Sequence, residues 1–232
     1  MMNRVSMVLL AGGVGKRMKM NVPKQLLTIG GKPIIAHVLE KIEMIDEIAE
    51  VIIPSPENYI EETIMTINDH QFSKPFQVIE GGSSRQESTY KALQHVQHEH
   101  VIIHEAVRPF VSKEEFIHLI HCEEENAIYG LDIPFTVLEG KEYIEGNLER
   151  DRLVNIQLPQ KFNTEKLLAA HEKAHHEMNE FTEDASLYFH YYGENIKVLE
   201  GTEYNIKITK PIDRKVAEII YKDYVLGREY SE

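Results

Sequence analysis

Short apolar runs alternate with longer amphipathic stretches along most of the chain. Five apolar runs predict β-strands: Val5–Leu10, Val51–Ile53, Val78–Ile79, Val101–Ile103 and Ile128–Ile133. Four stretches between them space their apolar residues as one face of a helix does: Pro33–Ile45, Tyr59–Asn68, Ser84–Val96 and Ser112–Glu124. Such an alternation is typical of an α/β fold, in which a mostly parallel sheet carries helices on both faces.

Local signals place the starts of several elements. Two predicted helices begin with a serine that is followed three residues later by a glutamate, the capping-box pattern: Ser84 with Glu87, and Ser112 with Glu115. Further along, the pattern predicts a helix over Thr164–Met178, a strand near Ile196–Leu199 and a last helix that begins at Pro211. With no internal repeat or linker, we expect residues 1–232 to form one domain.

One segment does not follow the alternation. Residues Phe135–Gln157 are polar, punctuated by glycine and only partly alternating, which predicts a β-arm that projects from the body of the domain. A projecting arm cannot bury its own apolar side chains. We therefore expect it to pack against a second copy of the chain, as the arm of a homodimer.

Composition and charge exclude several classes of protein. The chain has 25 Lys and Arg against 38 Asp and Glu, a net charge of −13, which argues against a general nucleic-acid or anionic-membrane binder because such a protein needs a basic face. A small anionic substrate stays open, since a few cations in a cleft can bind it. The single cysteine, Cys122, excludes an internal disulfide and a cysteine-based zinc site. No apolar run approaches the ~20 residues of a membrane span, and the N-terminal run has no cleavage signal, so we expect a soluble, cytoplasmic protein.

The strongest candidate for chemistry is the segment LLAGGVGKRMKMNVPKQ, residues 9–25. The first predicted strand leads into three glycines and then into several cations, among them Gly12, Gly13, Gly15, Lys16, Arg17 and Lys24. Glycines there let backbone N–H groups approach an anion closely, and the cations neutralise it. The P-loop and dinucleotide patterns both fail, because they require glycine at Leu10 and Met18, respectively. An ordinary glycine turn beside surface lysines is the alternative.

Three further polar segments lie where predicted strands end. They are Gly81-Gly82 with Arg85 and Ser88 beyond it, His104–Pro109, and Asn205–Lys207. Ligands of open parallel sheets bind beyond the carboxyl ends of the strands, so distant segments can converge on one cleft. Taken singly, each segment is equally well explained as a turn or an ion pair.

Seven blocks in order, AGGVGKRM, PKQ, EGGSSRQES, HEAVRPF, LPQKF, TEDAS and NIKIT, resemble the CTP-dependent cytidylyltransferases that act on polyol phosphates. The similarity runs from about Val5 to Tyr221. Within the family, the chain is most similar to the 2-C-methyl-D-erythritol 4-phosphate cytidylyltransferases and the ribitol 5-phosphate cytidylyltransferases. It implies a Rossmann-like nucleotidyltransferase fold, CTP and a polyol phosphate as substrates, Mg²⁺ as the divalent cation, and a homodimer. The acceptor would belong to isoprenoid synthesis or to cell-wall polyol metabolism.

The resemblance also implies roles for individual residues. Nucleotide binding falls to Ala11, Gly12, Gly13, Gly15, Gly82, Arg85, Ser88 and Ala106. The catalytic cations, which neutralise the α-phosphorus and the departing pyrophosphate, are Arg17, Lys24 and Lys207. The acceptor is bound by Glu105, which is also the metal ligand, and by Arg150, Thr182 and Asp184, with Arg150 reaching across the dimer interface. We expect the three catalytic cations to repel one another in an empty site.

The chain departs from the family pattern on the acceptor side. Glu105 stands where the family usually has aspartate, Leu158 where it has threonine, and Val137-Leu138 where it has an Asp-Thr pair. The sequence therefore leaves the acceptor open. It also leaves open a non-enzymatic alternative, a degenerate member that binds a nucleotide without turning it over.

A rival motif lies in the predicted helix Thr164–Met178. The run HEKAH matches H-E-x-x-H, in which His171 and His175 share a helix face and would bind zinc with Glu172 as the base of a metallopeptidase. The charged Lys173 inside the motif and the lack of an evident third ligand favour a solvated helix face. The same interpretation applies to the cluster His95, His98 and His100.

Overall fold

The computed structural model describes residues 4–13 and 23–226. Its strands are β1 (Val5–Leu10), β2 (Thr28–Ile29), β3 (Lys32–Pro33), β4 (Ile48–Ser55), β5 (Phe76–Glu80), β6 (His100–Glu105), β7 (Ala127–Asp132), β8 (Leu138–Glu139), β9 (Gly146–Asn147), β10 (Val154–Asn163) and β11 (Lys197–Glu200). Its α-helices are α1 (Ile34–Glu43), α2 (Ile60–Asp69), α3 (Arg85–Leu93), α4 (Lys113–His121), α5 (Thr164–Glu177), α6 (Asp184–Tyr192) and α7 (Pro211–Ile220). No helix in these two ranges is long and apolar enough to cross a membrane.

Seven strands form the central sheet in the order β11-β7-β10-β6-β1-β4-β5. Strand β1 pairs in parallel with both β4 and β6, β4 with β5, and β11 with β7. Strand β10 alone runs antiparallel to its neighbours β6 and β7. The predicted α/β fold with a mostly parallel sheet is thus confirmed.

The helices cover both faces of this sheet because the buried strands are apolar on both sides. In β1, Met7 and Leu9 belong to the core cluster that includes α1 and α4, whereas Val8 and Leu10 belong to the cluster that includes α3, α5 and α6. This alternation follows from the period of two along a strand. It leaves the carboxyl ends of the strands as the edge at which polar loops gather.

The predicted helix starts are confirmed to within one residue, and one cap is complete. Ser112 accepts a hydrogen bond from the Glu115 N–H while the Glu115 carboxylate accepts one from the Ser112 N–H. Ser84 also accepts from the Glu87 N–H, but the Glu87 carboxylate binds the N–H of Ser83 instead. The second capping box is therefore only half formed.

The projecting arm is shorter than predicted. A two-stranded ribbon of β8 and β9 lies within it, but Val154–Gln157 belong to β10 and pair with β7 in the central sheet. The glycine-punctuated part that lies outside the central sheet therefore ends before Val154. Helix α6, which follows the predicted helix over Thr164–Met178, was not predicted.

Candidate active site

The carboxyl ends of β1, β5 and β6 border a cleft of about 370 Å³. The backbone continues the sheet pairing past these ends, because the N–H of Ala106 donates to the carbonyl of Leu10 at 3.0 Å and the N–H of Gly81 to that of Ser55 at 2.8 Å. Nine predicted site residues line the cleft: Ala11, Gly12, Gly13, Lys24, Gly82, Arg85, Ser88, Glu105 and Lys207. The structure thus brings together segments from both ends of the chain.

Ser88 fixes the backbone at one wall of the cleft. Its hydroxyl accepts from the N–H of Gly82 at 2.9 Å and donates to the carbonyl of Ser84 at 2.8 Å. It sits in the first turn of α3, whose N-cap is Ser84. The glycine turn after β5 is therefore held in one position against the helix that follows.

Glu105, at the end of β6, is the centre of charge in the cleft. Its Oε1 lies 2.7 Å from Lys207 Nζ and 3.4 Å from Arg85 Nε, and its Oε2 lies 3.3 Å from Arg108 Nε. Burial opposes ionisation of this carboxyl, but the combined charges of Lys207, Arg85 and Arg108 outweigh it and lower its pKa to about 2. Glu105 is therefore an anion among three cations.

The position of Lys207 is set by hydrogen bonds between the C-terminal segment and the loop after β6. The side-chain amide of Asn205 donates to the carbonyl of Leu158 at 2.6 Å, and Arg108 Nη1 donates to the carbonyl of Asn205 at 2.8 Å. The N–H of Ile208 donates to the carbonyl of Val107 at 2.9 Å. These contacts hold Lys207 opposite Glu105, whose negative charge offsets at Lys207 the repulsion expected between the cations of an empty site.

Lys24 and Gln25 form the floor of the cleft beside Gly13. Both belong to a short 3₁₀ turn, Lys24–Leu26, and both are buried. Within residues 4–13 and 23–226, neither amide atom of Gln25 has a hydrogen-bond partner, although the residue is fully buried and lines the cleft. Gln25 is not among the predicted site residues, although its place directly after Lys24 in PKQ was a usable signal.

Four other residues that line the cleft were not predicted either, namely Leu10, Ser83, Ser84 and Val107.

Four of the predicted site residues lie elsewhere in the described ranges. Ala106 is buried behind the cleft, with its N–H engaged by Leu10, and Asp184 is buried against Arg85. Thr182 is exposed and outside the lining, and Arg150 lines a separate hollow with Asp132 and Pro134. Gly15 and Arg17, like Lys16, lie outside the described residues.

The HEKAH motif does not form a metal site. His171 is buried and its Nε2 lies 3.1 Å from Asp184 Oδ1, whereas His175 is exposed and its ring stacks with Tyr90. Over residues 4–13 and 23–226, no group of three or more His, Cys, Asp or Glu side chains is arranged to hold a metal ion. The interpretation as a metallopeptidase is therefore unsupported.

Two of the sequence departures lie away from the cleft. The side chain of Leu158 packs in the core with Val8 and Phe162, so the missing hydroxyl is not one of the groups that line the cleft. Leu138 lies in the exposed ribbon of the arm. Glu105 is the departure that faces the cleft.

Comparison with known proteins gives one consistent result. A family model described as IspD, 2-C-methyl-D-erythritol 4-phosphate cytidylyltransferase, matches residues 5–223. A 2-C-methyl-D-erythritol 4-phosphate cytidylyltransferase of Halalkalibacterium halodurans is 36% identical over 93% of this chain and 96% of its own length.

Solved structures agree with this result. The 4-diphosphocytidyl-2C-methyl-D-erythritol synthase of Anaerococcus prevotii has a TM-score of 0.84 at 26% identity, covering 95% of this chain and 96% of its own. The 2-C-methyl-D-erythritol 4-phosphate cytidylyltransferase of Thermus thermophilus has a TM-score of 0.75 at 26% identity, covering 94% and 99%. The chain belongs to the 2-C-methyl-D-erythritol 4-phosphate cytidylyltransferase family and is a CTP-dependent nucleotidyltransferase.

Proposed function

We propose that the chain transfers the cytidylyl group of CTP to the phosphate of 2-C-methyl-D-erythritol 4-phosphate and releases pyrophosphate. One observation carries the proposal: Lys24 and Lys207 line the same cleft as the glycine turn Gly12-Gly13, at the carboxyl ends of β1 and β6. A cleft of that composition suits a triphosphate. The acceptor is inferred from the relatives, which carry its name, and it would place the reaction in isoprenoid synthesis.

The reaction forms one bond and breaks one. An oxygen of the acceptor phosphate attacks the α-phosphorus of CTP in line, and the bond from that phosphorus to the oxygen of the β-phosphate breaks, so pyrophosphate leaves with the electron pair. A phosphate monoester has its second pKa near 6 and is largely dianionic at neutral pH, so no side chain has to remove a proton. Catalysis is then positioning and neutralisation of charge.

The cleft residues fit these tasks. The backbone of Ala11, Gly12 and Gly13 would face the phosphates, and the turn that Ser88 holds at Gly82 would face the base. Lys24 and Lys207 would neutralise the charge that moves onto pyrophosphate, together with Arg17 of the glycine loop. In this proposal Arg85 lines the nucleotide site, and Ala106 supports it from behind.

A divalent cation fits this cleft through one protein ligand. Mg²⁺ in nucleotide sites is usually held by one or two carboxylates together with substrate phosphates, and Glu105 is a carboxylate of this cleft. When bound there, Mg²⁺ would neutralise charge on the phosphates. Glu105 would have to share its oxygens between the ion and Lys207, whose Nζ lies 2.7 Å away.

The arm supports a homodimer in which Arg150 serves the acceptor site of the partner. Three large apolar side chains of the arm are about three-quarters exposed, Phe135 at 76%, Tyr143 at 79% and Ile144 at 75%, which is costly in a monomer. Light scattering should report twice the chain mass, and Ile144→Asp should lower both that mass and the activity. Met178→Gln, a change at another exposed side chain, serves as control. A monomer with full activity would show that Arg150 does not act in the acceptor site of a partner. The acceptor role of Arg150 depends on this dimer, whereas that of Thr182 rests on the motif block TEDAS.

A single assay tests the function. Pyrophosphate release is measured with CTP and a panel of acceptors: 2-C-methyl-D-erythritol 4-phosphate, ribitol 5-phosphate and glycerol 3-phosphate, with ATP and GTP in place of CTP as controls for the base. We expect the highest kcat/KM for the first acceptor with CTP. An equal or higher kcat/KM for ribitol 5-phosphate would make that compound the proposed acceptor instead. No pyrophosphate release with any combination of nucleotide and acceptor would favour the non-catalytic alternative.

A further inference from the structure

A chain of ion-pairing side chains runs from the cleft into the core and joins three helices to it. Asp184 begins α6 and is 1% exposed; its Oδ1 lies 3.1 Å from His171 Nε2 and its Oδ2 lies 2.8 Å from Arg85 Nη2. Arg85 begins α3, and its Nε lies 3.4 Å from Glu105 Oε1. The chain therefore leads from α5 through α6 and α3 to the carboxylate of the cleft.

One guanidinium serves three carboxylates in this chain. Besides Asp184 and Glu105, Arg85 Nη2 donates to Glu183 Oε1 at 2.7 Å. Burial opposes ionisation of Asp184, but Arg85 and His171 outweigh it and lower its pKa, while burial raises the pKa of Glu183. Asp184 is thus the fixed negative charge that holds Arg85 from behind.

Geometry separates Asp184 from the substrates. Arg85 and Glu105 line the cleft, whereas Asp184 is not among its lining residues and has both carboxylate oxygens within ion-pair distance of protein groups. On the cleft side, Glu105 Oε1 is shared between Arg85 at 3.4 Å and Lys207 at 2.7 Å. A group that holds Arg85 in place therefore also helps to hold the Glu105 carboxylate, which orients Lys207.

We propose that Asp184 is a positioning residue that acts on the reaction through Arg85, and that it is not a ligand of the acceptor. Asp184 holds Arg85 in place, and Arg85 compensates the charge of Glu105 when Lys207 turns toward a substrate phosphate. Without that compensation, the departure of Lys207 would leave the buried carboxylate of Glu105 with Arg108 as its one remaining cation of the three, and loss of partners from a buried charge is unfavourable. The kinetic test of this role rests on the proposed cytidylyl transfer, whereas the test by CTP binding does not require that the chain be catalytic.

A double-mutant cycle tests the proposal. Asp184→Asn keeps the size of the side chain and removes its charge, and Arg85→Lys keeps the charge but cannot bridge three carboxylates. We expect each variant to lower kcat about tenfold to a hundredfold, as small displacements of a reacting group do, with little change in KM for the acceptor. The double variant should be no worse than the poorer single one, because both remove the same interaction. Glu172→Gln, an exposed acid-to-amide change on α5, is the matched control.

Three results would overturn the proposal. A raised KM for the acceptor in Asp184→Asn, additive with Arg85→Lys, would mean that Asp184 contacts the acceptor itself. A lower melting temperature with unchanged kcat and KM would mean a purely structural role. If Asp184→Asn does not fold, Arg85→Lys decides alone, and wild-type kinetics in that variant would reject the chain.

A binding measurement keeps this proposal apart from the proposed function. Calorimetry of CTP binding should show affinity weakened about threefold or more in Asp184→Asn, and this loss should vanish in a Lys207→Ala background. If the wild-type chain binds CTP but transfers no cytidylyl group, the proposed function fails while this test still stands. Equal CTP affinity in wild type and Asp184→Asn would overturn the positioning role.

Discussion

Replacing Glu105 by glutamine tests whether charge balance holds the cleft together. The carboxylate faces Lys207 at 2.7 Å, Arg108 at 3.3 Å and Arg85 at 3.4 Å, whereas a neutral amide removes the anion that these three cations share. These cations lower the pKa of Glu105 from 4.5 to about 2. A shift of that size corresponds to about 3 kcal/mol of stability at neutral pH, and we expect Glu105→Gln to lose about that much.

The loss should depend on pH in a defined direction. Because the pKa of Glu105 is lower in the folded protein than in the unfolded chain, its contribution is complete above about pH 4.5 and disappears as the pH falls toward about 2. Below that interval the wild-type side chain is protonated and resembles glutamine in charge. The difference in unfolding free energy between wild type and variant should therefore shrink from pH 5 to pH 3.

Urea unfolding followed by circular dichroism at pH 7, 5 and 3 measures this difference. Glu61→Gln, an exposed acid-to-amide change on α2, is the control and should stay within about 0.5 kcal/mol of wild type throughout. Two results would refute the reasoning: a gap at pH 7 no larger than that of the control, or a large gap that does not change with pH. The second would point to packing and not to charge.

Other changes test separate parts of the site and its support. Lys24→Ala and Lys207→Ala should each lower kcat about a hundredfold or more while raising KM for CTP much less, because the interaction of each lysine strengthens as charge moves onto pyrophosphate. Stopped-flow and steady-state kinetics measure this effect, with the exposed Lys215→Ala as control. Normal turnover by Lys207→Ala would exclude the C-terminal segment from the site. Gln25→Leu removes two buried amide atoms that have no hydrogen-bond partner in the part of the chain that the structure describes, so the free energy of unfolding should rise by about 1 kcal/mol in a thermal or urea scan. A fall would show that the amide is hydrogen-bonded in the folded protein. Burial lowers the pKa of Lys41 to about 8, so above that pH the unfolded chain binds more protons than the folded protein. The free energy of unfolding of the wild type should therefore rise relative to that of Lys41→Met between pH 8 and pH 10. A constant difference across that range would show that the pKa of Lys41 is not lowered by folding.

The sequence by itself determined most elements of the fold. The apolar run of β1 and the capping serines Ser84 and Ser112 predicted structure correctly because each signal depends only on residues a few positions apart. A strand alternates its side chains with a period of two and a helix with a period of 3.6, whatever the rest of the chain does. The motif blocks likewise identified most residues that line the cleft.

Elements whose position depends on distant partners were predicted less well. Val154–Gln157 look like arm residues, since their sequence is polar and mixed, but they pair with β7 and extend β10. Helix α6, with the sequence DASLYFHYY, lacks the clean spacing of an amphipathic helix because its tyrosines pack on different neighbours. In both cases the strand or helix is stabilised by contacts that the local pattern does not contain.

Tertiary structure alone decided which charges meet. The family resemblance marked Glu105, Arg85, Asp184 and Lys207 as site residues, but it did not say which of them contact one another. In the structure Lys207 pairs with a glutamate 102 positions away, and Arg85 with an aspartate of α6. Coulomb interactions act through space and strengthen with burial, and neither distance nor burial can be taken from the order of residues along a chain.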